Sequence, residues 1–209
     1  MLNANPSPVW TRLMQFVGFE CGGSRGLRLS IQAPNYLNLN MRITMHPYLS
    51  AAKKMFLASD HAGLPLKSQI VSYLRAQGIE VNDLGTHDSQ SIDYPDIAER
   101  LVASLEEAGC FTQTAAQAPA MGILVCGTGI GISIAANRHP GVRAALCHNA
   151  TEARLARQHN DANVVAFGAR TMGVEVVLEA VQVFLSTEFE GGRHASRVAK
   201  LGVGPSRSS

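Results

Sequence analysis

The sequence is poor in the features that mark several common functional classes. Its four cysteines (Cys21, Cys110, Cys126, Cys147) form no Cys-x-x-Cys pair and have no histidine at zinc-ligand spacing. That argues against a disulfide scaffold and a structural zinc site, and fits a reducing, cytoplasmic compartment. Charge is also sparse: 16% of residues are charged, and the net charge of +2 is too small to draw nucleic acid or an acidic membrane surface by bulk electrostatics. Residues 108–137 carry no charged side chain at all, yet five glycines, Pro119 and several Thr, Gln and Asn residues interrupt the run. A strand, turn and helix in a buried core explain it better than a membrane span. Neither a nucleic-acid nor a membrane partner is expected, and no internal repeat is visible.

What is present suits one globular domain: 209 residues, of which 46% are hydrophobic. Residues 1–52 hold a single acidic residue, Glu20, and show little periodicity. Residues 1–54 therefore read as a poorly ordered extension or the product of a start placed too far upstream, since Met45 or Met55 would serve as well. An acid-poor, arginine-containing N-terminus also resembles a transit peptide. The domain proper is expected over 55–201, with 202–209 as a tail.

From Met55 onward strands and helices alternate. "MFLAS", "IEVNDLG", "MGILVCG", "GVRAALC" and "NVVAFGA" read as five strands. "LPLKSQIVSYLRAQG", "YPDIAERLVASLEEAG", "IGISIAANR", "ATEARLARQ" and "GVEVVLEAVQVFLST" read as helices, with a short one after "EGG". Alternation of this kind implies an α/β, Rossmann-like three-layer fold with a five-stranded parallel sheet, and the flavodoxin-like order 2-1-3-4-5 is expected. In that order the chain reverses between strands one and three, and ligands bind beyond the carboxyl ends of strands at such a switch point. Asp60 and His61 follow strand one, and Cys126 to Gly131 follow strand three.

The loop Gly127-Thr128-Gly129-Ile130-Gly131 is not a dinucleotide fingerprint, because its glycines fall as G-x-G-x-G and no acidic residue ends the next strand. Nor is it a P-loop, because Ile132-Ser133 stands where Lys-Ser/Thr is needed. What remains is a run of backbone N–H groups suited to a small oxyanion, or a tight turn with no ligand. Cys126 at the strand end is a reactive thiol or a small buried hydrophobe. Asp60 could simply cap a helix. His159 lies in the polar run "RQHNDAN", which reads as a loop. Arg193 and Arg197, four apart beside His194, are a phosphate clamp or a solvated basic face. Together these residues supply a weak base, an oxyanion loop, a histidine and two arginines. They include no metal set and no nucleotide motif. Cofactor-free proton transfer on a small phosphorylated molecule fits that inventory.

In this order "SDHAG", "DYPD", "CGTGIGISIAAN", "RQHNDANVVAFGAR" and "EFEGGRHASRV" resemble the type B ribose-5-phosphate isomerases, a family that also includes galactose-6-phosphate isomerase subunits. The resemblance runs from about Met55 to Leu201. It implies a homodimer or homotetramer with the active site at a subunit interface, and interconversion of ribose 5-phosphate and ribulose 5-phosphate without a cofactor or metal. By motif, it casts Cys126 as the base between C2 and C1, and His159 as the group that assists ring opening. Asp60 falls near the ring hydroxyls, and Gly127 to Gly131 form the loop for the enediolate oxygen, with Thr128 beside the reacting atoms. His61, Arg193 and Arg197 become phosphate contacts. Asn160, Arg170 and Tyr94 become further substrate contacts. Isomerisation of allose 6-phosphate, erythrose 4-phosphate or galactose 6-phosphate, or non-catalytic sugar-phosphate binding, remain the alternatives. The extension and the long link "CFTQTAAQAPA" depart from the family pattern.

Overall fold

The computed structural model describes residues 54–111 and 118–201. The expectations for residues 1–53, for most of the 110–120 link and for the 202–209 tail lie outside the described residues.

The elements follow in strict alternation: β1 (Lys54–Ser59), α1 (Leu64–Ala76), β2 (Val81–Asp83), α2 (Tyr94–Glu107), β3 (Ala120–Cys126), α3 (Ile130–Ala136), β4 (Ala144–Leu146), α4 (Ala150–Asn160), β5 (Val164–Gly168) and α5 (Val174–Ser186). A 3₁₀ turn (Gly192–His194) then leads into α6 (Ala195–Leu201). Local chemistry sets the boundaries. Proline occupies the first turn of both α1 and α2, where its missing N–H costs nothing. Gly78, at φ +77°, turns the chain out of α1. The Asn149 side chain caps α4 by accepting the Glu152 N–H (2.9 Å), and the Glu152 carboxylate accepts the His148 N–H (2.7 Å).

All the strand pairs are parallel, and the order is β2-β1-β3-β5-β4. The five-stranded, Rossmann-like sheet is thus the expected one, but its last two strands are exchanged relative to the expected 2-1-3-4-5. Burial explains the exchange. β5 is buried at every position and sits inside the sheet, whereas β4 is half-buried throughout and takes the edge. Crossover handedness gives the consequence. The return from β4 at the edge to β5 inside it places α4 on the same face as α1 and α5, and leaves α2 and α3 on the other.

The two cores follow that division. On one face, Leu66, Ile70 and Leu74 of α1 join Ala153 and Ala156 of α4, Val177, Val181 and Phe184 of α5, and the strand residues Met55, Leu57, Ile123, Val125, Val165 and Phe167. On the other, Ile97, Leu101 and Leu105 of α2 and Ile132 of α3 cover Phe56, Ala58, Leu124, Cys126, Val164 and Ala166. Successive residues of each central strand alternate between the faces, so a continuous apolar run fills both cores. Each large side chain so buried contributes about 1.5–3 kcal/mol.

Candidate active site

At the carboxyl ends of β1, β3 and β5 three short loops meet. The Cys126 carbonyl accepts the Ala169 N–H (2.9 Å), and the Gly127 carbonyl accepts the Arg170 N–H (2.9 Å), so the loops after β3 and β5 are clasped together. The Arg170 guanidinium lies over Gly127, 3.4–3.5 Å from where a Cβ would be. Gly129 adopts φ +77°, and a Cβ there would fall 2.9 Å from the Phe167 carbonyl carbon. Only glycine fits that turn. A Cβ on Gly131 would meet the Tyr94 ring at 2.7 Å, so the ring rests directly on the loop.

Cys126 is buried at 4% exposure, and the Gly129 N–H donates to its Sγ (3.1 Å). The Ile130 N–H donates to Thr128 Oγ1 (3.3 Å). The N–H groups of Gly127, Thr128 and Gly131 meet no acceptor among the described residues, which leaves donors beside the thiol for an incoming oxyanion. Asp60 is buried and its Oδ1 accepts the Gly63 N–H (2.9 Å), so it does cap the turn into α1. His61 Nδ1 accepts the Ile92 N–H (3.3 Å), which makes Nε2 the ring's donor when the ring is neutral. The structure therefore gathers Asp60, His61, Tyr94, Cys126 to Gly131 and Arg170 at one edge of the sheet.

The other site candidates lie at the opposite edge. His159 is not in a loop: it belongs to the last turn of α4, which runs from the top of the sheet to its foot and ends at Asn160. Arg193 falls in the 3₁₀ turn and Arg197 in α6, on successive turns rather than within one α-helix. The segment following α5 returns to α4 through the Glu190 N–H, which donates to the Gln158 carbonyl (3.1 Å). There the His159 and His194 rings stack with centroids 4.3 Å apart and planes 4° apart. Arg193 Nε donates toward His194 Nε2 (3.3 Å). Burial first, then the charges of His159, Arg193 and Arg197, hold the His194 imidazole below the usual histidine range, with Glu190 opposing.

Strand register measures the separation. Gly122, near the foot of β3, pairs with Val164, and Cys126 lies four residues further up the strand, about 13 Å away. The sheet and its packed cores lie between the two groups, so one chain does not bring Cys126 and His159 together.

Two supporting clusters are not apparent from the sequence motifs. Lys67 is fully buried, pairs with Asp83 and donates to the Thr86 carbonyl (2.8 Å), so it pins the start of the loop that leads to Tyr94. Its place three residues before Ile70, on the apolar face of α1, is the available signal. At the foot of the sheet, Asp161, at φ +46°, accepts from Arg157 (3.0 Å) and from Arg143 (2.9 Å). That buried group fixes the turn directly after His159 and Asn160. Nothing in the spacing of Arg143, Arg157 and Asp161 announces it.

Known proteins resemble this chain in sequence and fold. A family model described as Ribose/Galactose Isomerase matches residues 55–201. The chain is 44% identical over 152 residues to ribose-5-phosphate isomerase B of Escherichia coli, covering 71% of this chain and 94% of that protein. It is 38% identical over 147 residues to D-erythrulose-4-phosphate isomerase of Pectobacterium atrosepticum, covering 70% of this chain and 91% of that protein. Among solved structures, a ribose 5-phosphate isomerase from Thermotoga maritima aligns with a TM-score of 0.66 at 46% identity, covering 72% of this chain and 97% of that one. No helix among the described residues is long and apolar enough to cross a membrane.

Proposed function

Because the chain belongs to the ribose/galactose isomerase family, whose members it matches are sugar-phosphate isomerases, we propose that it interconverts D-ribose 5-phosphate and D-ribulose 5-phosphate. The observation that carries this reading is the Cys126 thiol, held against a loop of N–H donors at the end of β3. In the reaction His159 assists opening of the furanose ring, with Asp60 at the ring hydroxyls. Cys126 as thiolate takes the proton from C2 and returns it to C1. The charge that builds on the carbonyl oxygen in between is met by the Gly127–Gly131 backbone, with Thr128 beside the reacting atoms. A positioned acid–base group of this kind contributes roughly 10²–10⁴-fold, and one oxyanion donor about 2.7–4 kcal/mol of barrier. His61, Arg193 and Arg197 hold the phosphate, and Tyr94, Asn160 and Arg170 contact the sugar. No cofactor or metal takes part in this chemistry.

The same reading requires a second copy of the chain. His159, Asn160, Arg193 and Arg197 come from one protomer and the Cys126 loop from the other, in a homodimer or a tetramer built from such dimers. The surface beside the loop supports this. Ile130 and Ile134, one turn apart on α3, are 52% and 59% exposed, and Tyr94 is 41% exposed, an apolar strip that a second copy would cover. On this reading the enzyme works in the cytoplasm, on the non-oxidative pentose phosphate pathway.

The name of the Pectobacterium relative favours a second reading, isomerisation of a different aldose phosphate on the same machinery. A panel of ribose 5-phosphate, erythrose 4-phosphate, allose 6-phosphate and galactose 6-phosphate, compared by kcat/KM in metal-free buffer, tests both. Ribose 5-phosphate is expected to lead. A higher value for another sugar replaces the substrate assignment. Full activity in Cys126→Ala refutes the mechanism, and calorimetric binding without turnover of any sugar reduces the protein to a binding module.

A further inference from the structure

We propose that His159, Glu190 and His194 form a site for a zinc-class divalent transition-metal ion, and that filling it switches the isomerase off. Glu190 Oε2 lies 3.9 Å from His159 Nε2 and 3.8 Å from His194 Nε2. One ligand atom from each residue falls within 4.8 Å of the others. Zinc bonds of about 2.0–2.2 Å in tetrahedral geometry need ligand atoms roughly 3.3–3.5 Å apart. Filling the site therefore draws the three ligand atoms together and turns the His159 and His194 rings out of their parallel stack, so that each ring plane contains the ion. Two imidazoles and a carboxylate are a recurrent zinc donor set, and nitrogen donors select against magnesium and calcium.

The fold prepares this meeting. The Glu190 N–H is bonded to the Gln158 carbonyl, which ties the segment to the last turn of α4. Gly191 and Gly192, at φ +65° and +51°, then fold the chain back so that His194 reaches the same carboxylate as His159. His159 is 36% and Glu190 50% exposed, so an ion has access and solvent can fill the fourth position. Arg193 Nε donates toward His194 Nε2 and has to swing aside, which keeps the affinity modest.

The binding claim stands on geometry alone, and the inhibition claim rests on the isomerase reading, in which His159 must be free to serve the sugar. Zinc chloride titrated calorimetrically into the chelator-stripped full chain should give one ion per chain, with no magnesium uptake. Glu190→Gln and His194→Gln should weaken it by more than the roughly 10–100-fold typical of an outer-shell change. Cys126→Ser should leave it intact, and Arg193→Ala should tighten it. Glu190 is an exposed side chain, so its variant remains informative if His194→Gln fails to fold.

In the ribose 5-phosphate assay zinc should inhibit, a chelator should restore the rate, and Glu190→Gln should resist, each variant being read against its own metal-free rate. Absence of binding, or binding lost in Cys126→Ser and kept in Glu190→Gln, overturns the site. Binding without inhibition of an active enzyme overturns the switch. Inactivity of the metal-free protein fails the isomerase reading, while the calorimetry still decides the site.

Discussion

Co-expressing a Cys126→Ala chain with a His159→Ala chain tests the divided site directly. Each variant alone should lose roughly 10²–10⁴-fold in kcat, the usual contribution of a positioned acid–base group. In a two-fold dimer whose sites each take Cys126 from one chain and His159 from the other, a mixed dimer carries one site with both substitutions and one with neither. Random pairing makes about half of all dimers mixed, and one of their two sites is intact, so the mixture should recover about one quarter of wild-type activity. The magnitude follows from the fold: α4 delivers His159 to the foot of the sheet while β3 ends in Cys126 at the top. Differently tagged chains, purified through both tags in turn, would consist of mixed dimers only and should reach about one half. A mixture as inactive as its parents, with mixed dimers demonstrably present, would refute the division and force both residues into one chain's site.

Other substitutions probe the scaffold. Lys67→Met leaves the Asp83 carboxylate without its buried partner and should cost about 3 kcal/mol in urea unfolding, near the value typical of a broken buried pair. Gly129→Ala forces a left-handed φ and drives a Cβ into the Phe167 backbone, so it should lose about 2–3 kcal/mol or more together with activity. The nearest atoms that Gly131→Ala would meet all belong to the exposed Tyr94 ring, so stability should change by less than about 1 kcal/mol while KM rises. The Cys147 thiol is pushed up to about 12 by burial and then by Glu152. The folded state therefore keeps its proton where the unfolded chain has released it. The stabilisation is complete below the ordinary thiol value of 9.0 and is lost as pH rises from there toward 12. Cys147→Val should flatten the alkaline limb of stability against pH, measured by chemical denaturation.

Much of this architecture is legible in the sequence because burial and periodicity coincide. The five strand runs and the helices between them stand where the apolar patterns put them, and Pro65 and Pro95 mark two helix starts. The exchange of β4 and β5 is harder to read. Its signal is the contrast between "GVRAALC", with Arg143 and small alanines, and the uncharged "NVVAFGA". The sequence motifs name the candidate residues but not their division between the two ends of the sheet. Composition does not say which end of a helix a histidine occupies relative to a distant strand, and that depends on the direction of α4. His159 reads as loop because polar residues crowd it, yet the buried Arg157–Asp161 pair carries the helix past it. The meeting of Glu190 with two histidines also depends on glycine turns that spacing alone does not resolve.

The downward run of α4, in the two-copy site proposed above, has a consequence for the gene as well as the molecule. A residue set split between the two ends of one sheet is inherited as two separable traits, joined only when copies meet. After a duplication, one daughter chain is free to lose the thiol loop and the other to lose the arginines, and the pair still makes a complete enzyme. Neither could then work alone, and selection would act on their partnership instead of on either polypeptide.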